Sequence, residues 1–394
     1  MRITLQKLFQ SHFSDYAQTK KLPKHHYTAA NKIMACRTAA LGGHAQHCEN
    51  GHTLGVWYNS CRHRSCTQCQ FIQAERWLEK QKALLLNTSH RHIVFTIPHE
   101  FHGLWRFNTT GMIDVLFGAV RETLMQLCEQ AAHLGALPGF MLALHTWGRS
   151  LSLHPHIHCL VSEGGVDELG AWRTPRRNSF LPAKVVMMVF RGKFLASIRR
   201  ALDKGALCLP PDVERFRFNS LLNKLGRKKW NVRVMERYAH GGGVATYLSR
   251  YVRGGPISDQ QVAQLKDHKI AFSFSQHHDG QTRPARLEIA PHDFIDRYLT
   301  HVPPKGKPVV RCYGLYAGGK REQLNAVREQ FQQGPVQTPP PVAWKCLYQR
   351  VTGKSGPVCP ECGAPVHMGA AVPPLLHAHR VHDPPRTDEA RKAA

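Results

Sequence analysis

The chain has 394 residues, 42% of them hydrophobic, which excludes a disordered protein and allows a substantial core in two or three units. Lysine and arginine number 53 against 27 acidic residues, a formal charge of +26; this points to nucleic acid ahead of an anionic membrane, because neither a basic amphipathic anchor nor a lipidation motif is present. Six of the 12 cysteines fall in metal-like clusters (Cys48, Cys61, Cys66 and Cys69; Cys359 and Cys362) rather than a disulfide scaffold, and no apolar run is long enough for a signal peptide or a bilayer span, so a reduced, cytoplasmic setting is expected.

Residues 3–40 read as two short helices. Ile3, Leu5, Leu8, Phe9 and Phe13 recur at helical spacing, and Ile33, Met34 and Thr38 repeat the pattern until Gly42-Gly43 stops it. Next come His44, Cys48, His52, Cys61, Cys66 and Cys69. A Cys-x2-Cys turn brings two thiolates to one tetrahedral zinc, and a second pair from the preceding loop completes the site. The favoured set is Cys48, His52, Cys66 and Cys69, with Cys61 as the substitute; the competing reading is buried, unliganded thiols. Arg62, His63 and Arg64 lie inside the knuckle and Trp57 and Tyr58 just before it, a mixture suited to DNA contact or to plain solvated surface.

A helix over 71–87, a buried strand over 92–97 and an amphipathic helix over 111–134 lead to two adjacent strands, 140–147 and 154–162. The second carries His156 and His158. Alternate residues of a strand share a face, so both imidazoles point one way while Ile157 anchors the other. Such a pair can hold a divalent metal against a phosphate. Coincidence is the rival explanation in a chain with 26 histidines, which has further His-x-His triplets at His90/His92 and His377/His379.

Helices over 182–204 and 212–225, a strand over 231–238 and the glycines 241–243 open a further helix holding Tyr247 and Tyr251. Four residues apart, the two phenols share a helix face, an arrangement that plain aromatic packing also produces. Strands over 270–275 and 286–289, a helix over 291–299, a stiff linker over 302–308 and a helix over 319–333 follow, then a flexible proline run at 339–341. Cys359-Pro-Glu-Cys362 is half of a zinc knuckle, for which Cys346 and His367 are the candidate partners.

One ordered set of motifs spans about residues 25–316. It comprises Cys36-Arg-Thr-Ala-Ala-Leu-Gly-Gly-His44, Tyr58-Asn-Ser-Cys-Arg-His-Arg-Ser-Cys66 with Cys69, and His92-Ile-Val-Phe-Thr-Ile-Pro98. His145-Thr-Trp-Gly148, His154-Pro-His-Ile-His-Cys-Leu-Val161, Tyr247-Leu-Ser-Arg-Tyr251 and Pro304-Lys-Gly306 leading to Tyr313-Gly314 complete it. In these the chain resembles the bacterial rolling-circle transposases of insertion-sequence family ninety-one, two-tyrosine members of the His-hydrophobic-His (HUH) endonucleases with an N-terminal zinc-binding domain. It departs in having Cys48-Glu-Asn-Gly-His52 where Cys-x2-Cys-Gly-His is common, in lacking an aromatic residue after Gly306, and in having Cys312 where a histidine is usual.

The resemblance implies an α+β fold. An N-terminal helical zinc-binding domain (1–88) precedes an antiparallel-sheet HUH nuclease domain with flanking helices (89–304), and a C-terminal extension (305–394) carries the half-knuckle and a flexible tail. It implies structural zinc among Cys48, His52, Cys61, Cys66 and Cys69; Cys359 and Cys362, outside the resemblance, are a second candidate zinc site by their spacing alone. It also implies Mg²⁺ or Mn²⁺ on His156, His158 and a third ligand. His145 is chosen, because a hairpin turning near 148–151 brings it beside the pair; His154 and His92 are alternatives. Tyr247 or Tyr251 is expected to attack the scissile phosphate, giving a 5′-phosphotyrosine and a free 3′-hydroxyl, so nicking and rejoining need no external energy source. Arg62, Arg64, Arg250 and Arg253 are the expected DNA contacts. The expected partners are single-stranded or hairpin DNA at element ends and target DNA, with an oligomer compatible, and the expected place is the bacterial nucleoid.

Three rivals remain. A replication initiator or relaxase shares the chemistry, but the front zinc module and the absence of a helicase segment disfavour it. A non-catalytic zinc-dependent DNA-binding protein would tolerate loss of both tyrosines. A zinc hydrolase on His156 and His158 lacks a general-base carboxylate nearby in sequence.

Overall fold

The computed structural model describes residues 2–175, 180–239, 246, 255–265, 267–278 and 281–375. The chain opens with α1 (Leu5–Thr19), α2 (Lys24–Ala35), the hairpin of β1 (Gly43–Cys48) and β2 (Thr53–Tyr58), and α3 (Gln70–Leu84). Thr4 caps α1 by accepting from the Lys7 N–H, one of the amides that a first helical turn leaves open. Leu5, Leu8, Phe9, Phe13 and Tyr16 then recur every three or four residues and are buried, giving α1 a single apolar stripe.

The middle of the chain supplies β3 (His90–Thr96), α4 (His102–Phe107), α5 (Thr109–Glu129), β4 (Leu137–Trp147), β5 (Leu153–Val166), β6 (Trp172–Arg173), α6 (Ala183–Asp203), α7 (Arg215–Arg227) and β7 (Val232–Tyr238). After it come β8 (Val262–Gln264), β9 (Ile270–His278), β10 (Gln281–Ile289) and α8 (Pro291–Leu299). The last elements are β11 (Val310–Gly314), α9 (Arg321–Gln330), α10 (Trp344–Thr352) and β12 (Val366–Val372). The architecture is α+β, as the sequence implies.

A six-stranded antiparallel sheet, ordered β11-β4-β5-β3-β7 with β6 beside β5, is the centre of the molecule. One face carries Ile93, Phe95, Phe140, Leu142, Leu144, Ile157, Cys159 and Val161, and α5 and α6 close over it in the largest core. Phe190 of α6 sits against Phe95 and Trp230, with ring centroids 5.1 and 5.8 Å away. Fully burying a phenylalanine contributes about 2–3 kcal/mol. That burial fixes the register of β5, since a slip of one residue would drive His156 and His158 into the apolar core and expose Ile157.

The opposite face is only partly covered. Trp77 and Leu78 of α3 and Leu324 and Val327 of α9 pack on Met141, Ala143 and Leu160 in a smaller core. The histidines lie on this face beyond that core, toward the β4–β5 turn, where the Gly148 N–H donates to the Ser152 carbonyl at 2.8 Å.

Buried clusters and strand pairs span positions 88/89 and 304/305. α1 and α2 share a core with Ile257, just before β8, with Phe272 of β9 and with Phe294, Ile295 and Leu299 of α8. Phe9 meets Tyr298 edge-on at 5.7 Å, Tyr16 Oη donates to Asp296 Oδ1 at 2.8 Å, and Tyr298 Oη donates to the Ser65 carbonyl. Beyond 304, β11 is the edge strand of the central sheet, paired with β4 from Val310↔Ala143 to Gly314↔Gly139. β12 returns to the front of the chain and pairs with β1. The physical reason is that an amphipathic helix or edge strand at either end has an apolar face with no local partner, and long-range partners cover it.

Candidate metal centre and its surroundings

Cross-strand register assembles the histidine cluster. His145 on β4 stands directly opposite His156 on β5, and His158, two residues along β5, points to the same side. The ligating nitrogens of His145, His156 and His158 all lie within 4.8 Å of one another. The pairing slips by one residue between His145 and Trp147. A bulge of this kind re-aims the next side chain; Trp147 here lies parallel to His145, with centroids 5.0 Å apart. No carboxylate joins the group among the described residues.

Hydrogen bonds set the tautomers. His156 Nδ1 donates to the His154 carbonyl at 2.6 Å, which places the lone pair on Nε2. His158 Nδ1 lies 2.9 Å from His92 Nε2, and the rings stack at 5.1 Å. When His158 donates in that bond, its Nε2 carries the lone pair toward the cluster, the arrangement in which an outer imidazole orients a metal-binding one. His92 therefore supports His158 from behind. His154 flanks His156 at 5.1 Å between centroids.

Burial keeps the cluster uncharged. It lowers His156 to about 4 and His92 to about 4, and it holds His145 well below the ordinary imidazole value. Burial, then the neighbouring His156 and His92, lowers His158 to about 2. At neutral pH these are neutral nitrogen donors, the form that binds a metal.

Two clefts border the site. One, of about 680 Å³, opens beside His154 and is lined by His102, Arg106, Asp293, Asp296 and Arg297. Asp296 is tied to Tyr16 and Lys20, which leaves His102, Arg106 and Arg297 beside Asp293 in this cleft. The other brings Arg64 of the cysteine knuckle next to Thr146, Trp147 and His301. Arg64 is half-buried, whereas Arg62 is exposed in a left-handed turn at φ 54°. Tyr247, Arg250, Tyr251 and Arg253 lie outside the described residues.

The cysteines sort differently from the expected set. Cys66 and Cys69 meet Cys61 and Cys36, not Cys48 and His52. Cys69 Sγ is 3.6 Å from both Cys36 Sγ and Cys61 Sγ. That is close to the edge of a tetrahedron with Zn–S bonds of about 2.3 Å and far from a disulfide bond of about 2.05 Å. The neighbouring thiols, Cys36 first, hold Cys69 well below the ordinary thiol value and push Cys61 and Cys66 above it. Cys36 ends α2, and the Cys61 N–H points at its sulfur at 3.5 Å. Four cysteines meet here without a histidine, and Cys36 is the one that the sequence reading leaves out of its zinc set. Cys48 and His52 are drawn instead to Cys359 and Cys362. Cys346 and His367, the expected partners of that half-knuckle, are elsewhere: His367 Nε2 pairs with Glu49 at 3.2 Å, and Cys346 is exposed.

Comparison with known proteins bears on both parts. Residues 139–323 match the family described as "Putative transposase", and residues 8–97 match the "Transposase zinc-binding domain". The chain is 34% identical over 358 residues to "Putative transposase y4qJ" of Sinorhizobium fredii (strain NBRC 101917 / NGR234), covering 88% of this chain and 89% of that protein. It is 27% identical over 293 residues to the transposase for insertion sequence element IS801 of Pseudomonas savastanoi pv. phaseolicola, covering 73% and 69%. Among solved structures, the conjugative relaxase TrwC in complex with oriT DNA is 12% identical over 41% of this chain and 71% of that chain, with a TM-score of 0.24, a likeness too slight to argue from.

Proposed function

The chain belongs to the transposases of insertion-sequence family ninety-one (IS91), and from that premise we propose that it cleaves and rejoins single-stranded DNA at element ends through tyrosine–phosphate esters, using the histidine cluster to hold a divalent cation. The observation that carries this reading is the convergence of three neutral imidazoles on the open end of a rigid sheet.

His145, His156 and His158 are the proposed ligands, and their donor set fits a divalent cation that accepts nitrogen. An all-imidazole set suits Mn²⁺ better than Mg²⁺, which prefers hard oxygen donors. When bound, such a cation withdraws charge from the scissile phosphate and orients it. His92 holds the His158 ring, and the His154 carbonyl holds the His156 ring. Tyr247 or Tyr251 is the proposed nucleophile. Its phenolic oxygen forms a bond to phosphorus, the bond to the 3′-oxygen breaks, and the departing oxygen takes a proton to become a 3′-hydroxyl. A second tyrosine four residues on lets one phenol hold a strand end while the other cleaves.

His102, Arg106 and Arg297 are the proposed track for the strand's phosphates on one side of the cluster, with Arg64 on the other. Cys36, Cys61, Cys66 and Cys69 are the proposed zinc ligands that fix the loop bearing Arg62 and Arg64. The test is to incubate the purified protein with single-stranded DNA from its own element's ends, with Mn²⁺ or a chelator. A Mn²⁺-dependent nick is expected, with a 3′ end that a polymerase extends and a 5′ end that a kinase cannot label. Tight binding without cleavage in Mn²⁺ or Mg²⁺ would leave a zinc-dependent DNA-binding protein.

A further inference from the structure

We propose that Cys48, His52, Cys359 and Cys362 form a second tetrahedral zinc site, which fastens the C-terminal segment onto the β1–β2 hairpin. The four ligating atoms lie within 4.8 Å of one another, although the two halves are over 300 residues apart in sequence. Cys48 Sγ is 3.7 Å from Cys362 Sγ and 3.4 Å from His52 Nδ1, and Cys359 Sγ is 3.7 Å from the same nitrogen. Tetrahedral zinc with Zn–S near 2.3 Å and Zn–N near 2.05 Å has S–S edges of about 3.8 Å and S–N edges of about 3.6 Å. The sulfurs are too far apart for a disulfide.

Both halves are built as knuckles. On the front half, the Cys48 N–H donates to the His52 carbonyl at 3.1 Å and the His52 N–H points at Cys48 Sγ at 3.3 Å. On the back half, the Gly363 N–H donates to the Cys359 carbonyl at 2.9 Å, with Gly363 in the left-handed region at φ 71°. A side chain at Gly363 would strain that turn. His52 offers Nδ1 to the sulfurs while its Nε2 faces Glu361 Oε2 at 3.5 Å. A carboxylate behind a metal-binding imidazole is the usual outer partner that fixes its tautomer.

The rest of the segment has little else to hold it. Between 334 and 375, Leu347 and Cys359 alone among the described residues are buried. β12 makes a backbone ladder with β1, from Gly43↔Val372 to Cys48↔Val366, but most of its side chains are exposed. A unit with so small an apolar core needs a metal or another cross-link to stay folded. The site sits at the end of that ladder, where Cys48 pairs with Val366, and locks its register.

This inference stands apart from the nuclease reading, and its test reads metal and chain rather than DNA. Zinc content of the full-length protein is measured by elemental analysis for wild type, C359S/C362S and C48S, with circular dichroism to verify folding. Limited proteolysis then reports on the proline-rich stretch at 334–343. Wild type is expected to hold two zinc ions per chain and each variant one, with cleavage at 334–343 at least tenfold faster and the remainder of the chain intact. Cobalt substitution separates the two ligand sets. The variants should keep the absorption of a four-thiolate site and lose the component from three thiolates and one imidazole. Equal zinc content in wild type and C359S/C362S, or unchanged proteolysis in the variants, would overturn the proposal.

Discussion

His145, His156 and His158 come together on two neighbouring strands of one hairpin, whereas Cys48 and Cys362 come together across 314 residues of chain. Both are metal-type clusters, yet their relation to the fold is opposite. The imidazoles ride on a sheet whose stability comes from the other face, where Phe95, Ile157 and Phe190 are buried. The Cys48, His52, Cys359 and Cys362 site sits where the apolar core is thin, whereas Cys36, Cys66 and Cys69 lie in the core that α1 and α2 share with α8. Dismantling a cluster of the first kind is expected to leave the fold in place; dismantling one of the second kind is expected to loosen the segments that it joins.

Substitution at the two places should therefore split activity from stability, and this is the largest expected effect. His156→Ala with His158→Ala should lower Mn²⁺-dependent nicking by roughly 10³-fold, while the melting temperature and zinc content stay near wild type. Cys36→Ser should release zinc and unfold the N-terminal half, because metal affinity at a structural site is folding energy. Nicking assays beside calorimetry decide the matter; a destabilised histidine variant or a stable, zinc-replete C36S would reverse the comparison.

The contrast also explains what the sequence made legible. A strand has a period of two, so His156 and His158 announce a shared face within three residues, and the turn at 148–152 puts His145 opposite. No comparable rule joins Cys48 to Cys362 or Cys36 to Cys69. Cys66 and Cys69 display their local pairing, but the other two ligands are chosen by the path of the intervening chain. Two of the missed strands fail for a related reason. β2 and β12 are mostly exposed, and β12 is rich in small residues, so they lack the apolar alternation by which a half-buried strand is recognised, and only their ladders with β1 define them. α8, by contrast, begins at Pro291 and buries Phe294, Ile295, Tyr298 and Leu299, and its limits match the sequence reading.

A smaller effect should separate the ligands from their support. His92→Ala removes the ring behind His158 but no proposed ligand. Its nicking should need about 10–100-fold more Mn²⁺ and recover its rate at saturation, as expected when an outer partner is lost. A rate that stays low at saturating Mn²⁺ would make His92 itself a ligand.

The smallest effect is on pH. Burial lowers His92 and His301 each to about 4, below the unfolded value of about 6.5. Between those values the unfolded chain binds more protons than the folded one, so stability rises with pH through this window. It is complete above about pH 6.5 and falls as the pH drops toward 4, by about 1–2 kcal/mol per buried histidine at pH 5. Calorimetry from pH 7 to pH 5 should show a falling melting temperature; a rising one would mean that these imidazoles are charged in the folded protein.

The most direct measurement is covalent capture. Protein and labelled single-stranded DNA from the element's ends are mixed with Mn²⁺, denatured in SDS, and the protein–DNA adduct is digested and mapped by mass spectrometry. The account predicts a metal-dependent adduct on a peptide containing Tyr247 or Tyr251, absent from Y247F/Y251F and from H156A, and retained in each single tyrosine variant that keeps one nucleophile. An adduct mapped to another residue, or nicking without any adduct, would contradict it.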